Sequence, residues 1–358
     1  MRPEVTLIMK DDWWSVTGGI SRFVREVAPR LANVFKVTVI ATMSKNGIVC
    51  RTILPGLEVV QFPSYPSPPL LPDIKLPRFS QGILKYLERS DLVFMQDADM
   101  PVTLLRARRL KKPVVQYVHS LDWLRGHRYR LFGRGRWLAP ILRRYFALWF
   151  NRADHLCVPS ETLGKVLALD GVRTPSTCIP AGVDADRFSP PSDKEEVKQK
   201  LGVGGCVVIG YSGRLSREKN LGFLARVFAR LHQRHPNTRL LFVGEGPARY
   251  VREFGGLPGL ILAGHQVNVV PSLQAMDIYC QPVASFETSS LSTMEAMSCG
   301  LPVVVNALGC PKEYIEDGRS GYLINPPDDE DLFLDRLLGL VSTPGLRRDM
   351  GAAAGYKR

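Results

Sequence analysis

The sequence has few cysteines, a shortage of acidic residues and no long apolar run, and each shortage excludes a class of protein. Its seven cysteines are scattered and none forms a Cys-x-x-Cys pair, so neither a disulfide framework nor a cysteine-rich zinc site is expected. No run approaches the roughly 18 apolar residues of a membrane-spanning helix. The apolar run near the N-terminus is too short for a signal peptide. We therefore expect reduced thiols in a cytoplasmic protein.

The shortage of acidic residues leaves a strong positive charge. Lys and Arg number 47 against 34 Asp and Glu, which gives a formal net charge of +13. Such an excess favours a polyanionic partner, meaning nucleic acid, anionic lipid or a phosphorylated substrate, and does not choose among them. Apolar residues make up 45% of the 358 positions, so a sizeable core and about two domains are expected.

Short apolar runs alternate with amphipathic stretches along the chain. A run at 5–9 precedes a Gly-Gly pair, after which apolar residues recur at helical spacing, and a similar strand, glycine loop and helix begin at residue 207. This order predicts an α/β fold with parallel sheets. The expected strands are 5–9, 37–41, 57–62, 92–95, 114–118, 156–158, 207–209, 240–243, 260–263, 278–280 and 303–305.

A proline-rich stretch separates the two halves of the chain. It reads Phe-Ser-Pro-Pro-Ser-Asp at 188–193 and predicts domains at 1–188 and 189–358. Ligands of parallel α/β sheets bind beyond the carboxyl ends of the strands, so two facing sheets would form a substrate cleft.

The segment 285–304 carries the strongest chemical signal. Glu287 and Glu295 lie eight positions apart, and Ser289 or Ser290 would cap a helix that runs through Met297. A helix N-terminus attracts anions, and a carboxylate beside it would bind sugar or ribose hydroxyls. A capped surface helix with ordinary exposed glutamates would give the same pattern.

This segment resembles a known family. Two glutamates separated by seven residues, then Ala-Met and a Gly-x-Pro-Val-Val strand, are the signature of the retaining glycosyltransferases of the GT-B fold in glycosyltransferase family four. Further segments are similar to that family in order and spacing, at 17–20, 158–161, 179–188, 210–220, 242–247 and 313–323. The resemblance covers nearly the whole chain and implies two Rossmann-like α/β domains that face each other across a cleft.

A basic pair in the second glycine loop suits a phosphate ligand. Arg214 and Lys219 are five positions apart, and a diphosphate leaving group needs two or more fixed cations. A solvated basic loop is the alternative. The resemblance implies that this pair holds a nucleotide diphosphate without an obligatory metal or cofactor, that Glu295 binds the ribose and that Glu287 faces the donor sugar. It also implies donor contacts from Gly18, Gly19, Ser289, Ser290 and Leu291.

His119 follows the predicted strand 114–118 and therefore lies at the strand's carboxyl end. A lone histidine is commonly structural. The resemblance implies instead a catalytic role with Glu287, in which His119 bonds to the sugar and stabilises developing charge without acting as a nucleophile. Glycines at 18 and 19 would let the donor approach the backbone, because a Cβ there would clash with it.

Several positions depart from the family pattern. Glu287-Thr288-Ser289-Ser290 stands where Glu-Gly-Phe-Gly is common, and a Glu-Thr variant resembles some transferases that glycosylate lipids. Gln96-Asp97 stands where many relatives have His, and Cys310-Pro311 has no interpretation. GT-B proteins usually end with a helix that crosses back to the first domain, and we do not expect that helix among residues up to Arg358.

The stretch 123–153 has eight arginines among aromatic residues and no acidic residue. This mixture suits an interfacial helix on anionic lipid, and we expect Arg128, Arg130, Arg134, Arg136 and Trp137 to contact a membrane or the acceptor. A core-packing helix with snorkelling arginines and a nucleic-acid surface are the alternatives.

Taken together, these patterns predict a retaining glycosyltransferase that moves a sugar from a UDP- or GDP-sugar to a hydroxyl acceptor. The expected acceptor is a membrane lipid, the bond formed is α, and the enzyme lies peripherally on the inner face of the membrane. Transfer to a soluble polysaccharide or small molecule is the first alternative. A non-catalytic membrane or nucleic-acid binding protein is the second, and intact Arg214, Lys219, Glu287 and Glu295 argue against it.

Overall fold

The computed structural model describes residues 2–9, 12–14, 19–41, 48–63, 80–96, 100–119 and 135–355, with no side chains described at 80, 81 and 135–139. The chain divides into two compact units, Met1–Ala181 and Gly182–Arg358. Phe188, the end of the predicted first domain, is buried in the core of the second unit, where Ser298 donates a hydrogen bond to its carbonyl. The predicted linker therefore begins inside the second unit.

The first unit is built on an eight-stranded sheet in the order β3-β4-β2-β1-β5-β6-β7-β8. Its elements are β1 (Glu4–Met9), α1 (Gly19–Leu31), β2 (Lys36–Ala41), β3 (Val49–Leu54), β4 (Leu57–Gln61), α2 (Ser80–Arg89), β5 (Leu92–Gln96), α3 (Pro101–Arg109), β6 (Val114–Tyr117), α4 (Gly135–Phe150), β7 (His155–Val158), α5 (Glu161–Leu169) and β8 (Ser176–Cys178). All strands except β3 run parallel to their neighbours, so the predicted α/β class is confirmed for this unit.

Strand β3 departs from the all-parallel prediction. It pairs antiparallel with β4 at the edge of the sheet, through a two-residue turn at Pro55 and Gly56. Gly56 has a φ of +87°, a conformation that glycine adopts without steric cost. A Pro-Gly pair directly before an apolar run is a hairpin signal in the sequence, and the expected strands did not include β3.

The second unit is built on a six-stranded, fully parallel sheet in the order β11-β10-β9-β12-β13-β14. Its elements are α6 (Lys194–Lys200), β9 (Val207–Ser212), α7 (Leu221–Arg234), β10 (Thr238–Val243), α8 (Ala248–Arg252), β11 (Leu260–Gly264), α9 (Val270–Ala275), β12 (Ile278–Gln281), α10 (Leu291–Ser298), β13 (Val303–Asn306), α11 (Pro311–Tyr314), β14 (Gly321–Ile324), α12 (Glu330–Ser342) and α13 (Pro344–Ala354).

Both faces of this second sheet are buried. Alternate strand residues enter two separate apolar clusters, with Ile209 and Phe242 in one and Val208 and Leu241 in the other. This explains why the strands are almost continuously apolar in the sequence, since helices cover a parallel sheet on both sides. In the described ranges of the chain, no helix is long and apolar enough to cross a membrane.

The strand order creates a crevice in the second unit. The chain leaves β9 toward β10 on one side, and later returns to place β12 on the other side of β9. Loops after β9 and β12 therefore diverge at the carboxyl edge of the sheet, which is where ligands of such sheets bind. We call this place the β9/β12 crevice.

Backbone contacts hold the loop after β9 against the loop after β10. Leu215 N donates to the carbonyl of Glu245 at 2.8 Å, and a Cβ added to Gly246 would lie 1.8 Å from the carbonyl oxygen of Leu215. A Cβ on Gly244 would lie 1.9 Å from the carbonyl oxygen of Gly213. Glycines at 244 and 246 are therefore required for the two loops to approach this closely.

A glycine pair tests this packing. Gly246→Ala should lower the free energy of unfolding by about 1–3 kcal/mol, because two backbones must move apart. Gly339→Ala in α12 is the matched control, since its new Cβ meets nothing within 4 Å. We expect it to be neutral or to stabilise by up to about 1 kcal/mol. Urea unfolding measures both, and equal effects would contradict the close packing.

Candidate functional site

The loop after β9 places the predicted basic pair at the crevice. Gly213 turns the chain away from the strand with a φ of +145°, and a 3-10 turn at Arg217–Lys219 leads to Asn220, the N-cap of α7. Gly210 lies inside β9, where an added Cβ would meet the side chain of Met276 at 2.2 Å.

An ion pair joins the two sides of the β9/β12 crevice. Lys219 Nζ lies 2.7 Å from Oε1 of Glu287, which is in the loop after β12. Glu287 is 8% exposed as a residue and the Lys219 side chain 21%. Two groups that the sequence assigned to phosphate and sugar binding are therefore in direct contact.

Arg214 is placed differently from Lys219. Its guanidinium lies 3.4 Å from a carboxylate oxygen of Glu218 in the same loop, and half of its side chain is exposed. The structure thus brings Lys219 and Glu287 together and leaves Arg214 at the surface of the loop, paired with a residue that the sequence analysis did not single out.

The backbone of Glu287 is fixed by the loop after β13. Its N–H donates to Leu308 O at 3.0 Å, and its carbonyl accepts from Cys310 N at 2.9 Å. Gly309 sits against it with a φ of +91°, and a Cβ there would lie 2.1 Å from the Glu287 carbonyl oxygen. Three strand ends, those of β9, β12 and β13, therefore combine to hold one carboxylate.

Helix α10 begins at the same crevice, as the sequence predicts, but without the predicted side-chain cap. Ser290 is the N-cap residue, and within the described structure its hydroxyl makes no capping hydrogen bond. That hydroxyl lies 2.7 Å from Thr293 Oγ1 and accepts from Gln281 Nε2 at 3.4 Å. The Ser290 hydroxyl therefore accepts no hydrogen bond from the backbone N–H groups of the first turn of α10, which starts at Leu291.

A buried polar chain that sequence reasoning missed supports this helix start. Tyr279, wholly buried, places its hydroxyl 3.2 Å from Ser212 O and 3.1 Å from Gln281 Oε1. Gln281 then reaches Ser290. The chain connects the end of β9 with the start of α10. Polar residues inside an otherwise apolar strand, Tyr-Cys-Gln at 279–281, are the signal that marks it.

Other residues singled out around this crevice are Glu295, Ser289 and Cys310. Glu295 lies in α10 and is 4% exposed, and the Ser289 hydroxyl oxygen is buried with no hydrogen-bond partner among the described residues. Burial, with Glu287 nearby, raises the pKa of the Cys310 thiol to about 12. Cys310 is therefore a neutral packing group at neutral pH and not a nucleophile.

The first unit places His119 at the carboxyl edge of its own sheet. His119 Nε2 lies 2.6 Å from Oε1 of Gln96, which ends the neighbouring strand β5. The rings of Phe23 and Tyr117 have their centroids 4.9 Å and 4.6 Å from the imidazole. Gly19 begins α1, and a Cβ added there meets nothing within 4 Å.

Part of the predicted site lies outside the described residues. This applies to Gly18, Asp97, Arg128, Arg130 and Arg134, and to the side chains of Arg136 and Trp137. The described part of α4 buries Phe146 and Phe150 and exposes Ile141 and Leu148 at 64% and 50%. Helix α4 therefore has both a core-packing face and an apolar exposed face. Among the described residues, no three His, Cys, Asp or Glu groups are placed to hold a metal ion.

Comparison with known families assigns the two halves separately. Residues 17–187 match the model described as Glycosyltransferase Family 4, and residues 206–343 match the model described as Glycosyl transferases group 1. The two matches together span most of the chain, and each falls largely within one structural unit.

Individual proteins are similar to this chain over most of its length. The chain is 29% identical to a sulfoquinovosyl transferase of Arabidopsis thaliana over 84% of its own length and 59% of that relative. It is 25% identical to a GDP-mannose-dependent alpha-(1-6)-phosphatidylinositol monomannoside mannosyltransferase of Mycolicibacterium smegmatis, over 97% and 92% of the two chains. The structure of sucrose-phosphate synthase from Thermosynechococcus elongatus matches with a TM-score of 0.79 at 18% identity, covering 99% and 93%. This last likeness confirms the predicted fold class.

A double-mutant cycle tests whether the crevice depends on its ion pair. Lys219→Met should lower the free energy of unfolding by about 2–4 kcal/mol, because it leaves Glu287 buried and unpaired. The Glu287→Gln, Lys219→Met double variant should recover part of that loss, with a coupling of about 1–2 kcal/mol. Arg319→Ala, which breaks the exposed pair with Glu316, is the control and should change stability by less than about 1 kcal/mol. Strictly additive effects at 219 and 287 would contradict a coupled pair.

Proposed function

The chain belongs to the glycosyltransferases of group 1 and family four, and we propose that it transfers a sugar from a nucleoside-diphosphate sugar to a hydroxyl acceptor with retention of configuration. The observation that carries this proposal is the Lys219–Glu287 pair beside the start of α10 at the β9/β12 crevice, where the N-cap Ser290 makes no capping hydrogen bond among the described residues. A cation, a carboxylate and a helix N-terminus are the groups that a diphosphate and a sugar require at one place.

The diphosphate is the part of the donor that this crevice fits best. Lys219 supplies a point charge, and Arg214 supplies a planar guanidinium once it turns from Glu218. The first turn of α10 points backbone N–H groups toward the same crevice. In this proposal Glu295 accepts hydrogen bonds from the ribose hydroxyls, and no metal is needed to neutralise the leaving group.

The chemical step moves one sugar between two oxygens. The bond from the anomeric carbon to the donor phosphate breaks, and a bond from that carbon to the acceptor oxygen forms on the same face. The acceptor proton passes to the departing phosphate oxygen. Glu287 accepts hydrogen bonds from sugar hydroxyls, and His119 hydrogen-bonds to the sugar and stabilises the developing charge. No covalent carboxylate intermediate is part of the proposal.

For the acceptor we propose a membrane lipid, bound at the inner face by a peripheral enzyme. The supports are the acid-free arginine stretch at 123–153, the exposed apolar face of α4, and the name of the Mycolicibacterium smegmatis relative, which specifies a phosphatidylinositol monomannoside. An exposed face that mixes Ile141, Arg144 and Leu148 suits the boundary between lipid headgroups and acyl chains.

Loop variants test the donor site. Arg214→Ala and Lys219→Ala should each lower kcat/KM for the nucleotide sugar by roughly 10–150-fold, because each removes a charged hydrogen bond of about 1.5–3 kcal/mol. Arg217→Ala is the matched control, since Arg217 lies in the same loop but pairs with Glu253 and is largely exposed. A panel of UDP- and GDP-sugars assayed in EDTA with a lipid extract gives the rates. Full turnover by the Arg214, Lys219 double variant would refute the phosphate assignment.

Vesicle binding tests the membrane proposal. Replacing Arg128, Arg130, Arg134 and Arg136 by Ser should release the protein from anionic vesicles, since each arginine contributes up to about 1 kcal/mol at such a surface. Nucleotide binding should be unchanged, because its proposed site lies in the other half of the chain. The wild type should also detach as salt rises. A wild type that ignores anionic vesicles at low salt would favour a soluble acceptor.

A further inference from the structure

Gln96 is a buried side chain at the carboxyl edge of the first sheet that the proposed mechanism does not yet use. It ends β5, its partner across the sheet is Tyr117 in β6, and it is 4% exposed. Because paired residues of neighbouring strands project to the same face, Gln96 and Tyr117 share a face, and His119 two positions later returns to it.

One end of the Gln96 amide is already committed. Its Oε1 lies 2.6 Å from His119 Nε2, and a carbonyl oxygen only accepts, so the imidazole carries a proton on Nε2. Phe23 and Tyr117 contact the ring from α1 and β6. Of the three described neighbours Gln96, Phe23 and Tyr117, only Tyr117 titrates, and its hydroxyl donates to the carbonyl of Ile179. The imidazole is therefore fixed in position and in tautomer.

The nitrogen of the same amide is buried and unpaired among the described residues. Gln96 Nε2 has no solvent access and no hydrogen-bond partner among the described residues. A buried donor without an acceptor is unfavourable, and glutamine orientations that leave one unsatisfied are rare in folded proteins. Such a donor at the edge where ligands of parallel sheets bind indicates that an acceptor atom arrives with a ligand.

We propose that Gln96 is a substrate-binding and positioning residue, whose Nε2 donates to a hydroxyl oxygen of the sugar substrate while its Oε1 holds His119 in the Nε2–H form. The proposal rests on the glycosyltransferase function proposed above and adds a residue to it. The same amide would thus orient the imidazole and bind the sugar. A change in the position of Gln96 would therefore displace both His119 and the sugar.

Four variants separate this role from a structural one. Gln96→Leu keeps the volume and removes both polar atoms, Gln96→Asn keeps the amide but shortens its reach, and Gln96→Glu replaces the donor by a carboxylate. Gln116→Leu is the matched control, because Gln116 is a buried glutamine of β6 one position before Tyr117, on the opposite face. Each variant is measured by nucleotide-sugar turnover against pH, by UDP and GDP binding, and by nitrogen-15 NMR of the histidine rings.

For Gln96→Leu and Gln96→Asn we expect kcat to fall at least tenfold, with nucleoside-diphosphate binding unchanged within twofold. The NMR signals of His119, assigned with His119→Gln, should lose the fixed Nε2–H pattern. In Gln96→Glu the carboxylate favours the imidazolium and should raise the pKa of His119 by about one unit or more. If the neutral ring is the active form, the acidic limb of the kcat profile then moves to higher pH by the same amount.

Two results would overturn the proposal. Gln96 variants that lower only stability, the effect we expect of Gln116→Leu, with His119 signals and pH profile unchanged, would show a purely structural glutamine. If the wild type turns over no nucleotide sugar, the proposed function fails and the sugar contact fails with it. In that case the NMR measurement still decides whether Gln96 holds the His119 tautomer, so the two failures are distinguishable.

Discussion

The ion pair between Lys219 and Glu287 is the interaction on which the second unit's site depends. Neither residue belongs to regular secondary structure of more than one turn, and each is held by the carboxyl end of a different strand. The pair spans the point where the strand order reverses. It therefore connects the loops after β9 and β12, which diverge at the edge of the sheet. A buried carboxylate needs this cation, and a cation held beside a helix N-terminus is suited to take up a phosphate.

Backbone contacts, and not side chains alone, set the position of that pair. Gly244 and Gly246 let the loop after β10 support the loop after β9, and Gly309 lets the loop after β13 lie against Glu287. The polar chain from Tyr279 to Ser290 then fixes α10 relative to β9. Ser290 is the last residue of the Thr-Ser-Ser run that follows Glu287. Its hydroxyl hydrogen-bonds within this series of polar side chains and does not cap the helix.

The sequence predicts the strands and the motif positions well, and the contacts between them poorly. All eleven expected strands exist, because apolar runs bounded by glycine or polar loops report a doubly covered sheet. Strands β3, β8 and β14 were not predicted. The edge strand β3 was missed because its exposed residues alternate weakly, and its turn at Pro55 and Gly56 was not recognised. The Lys219–Glu287 and Gln96–His119 contacts join residues 68 and 23 positions apart, and local patterns carry no information about such pairs.

Binding of nucleoside diphosphates to the full chain, measured by titration calorimetry in EDTA, tests the central claim most directly. The account predicts that UDP or GDP binds at one site per chain, with affinity that falls as salt rises and is lost when Lys219 is replaced by Met. It also predicts that the nucleoside alone binds far more weakly, because the crevice recognises the diphosphate. Equal binding of nucleoside and diphosphate, or no binding of either diphosphate, would contradict it.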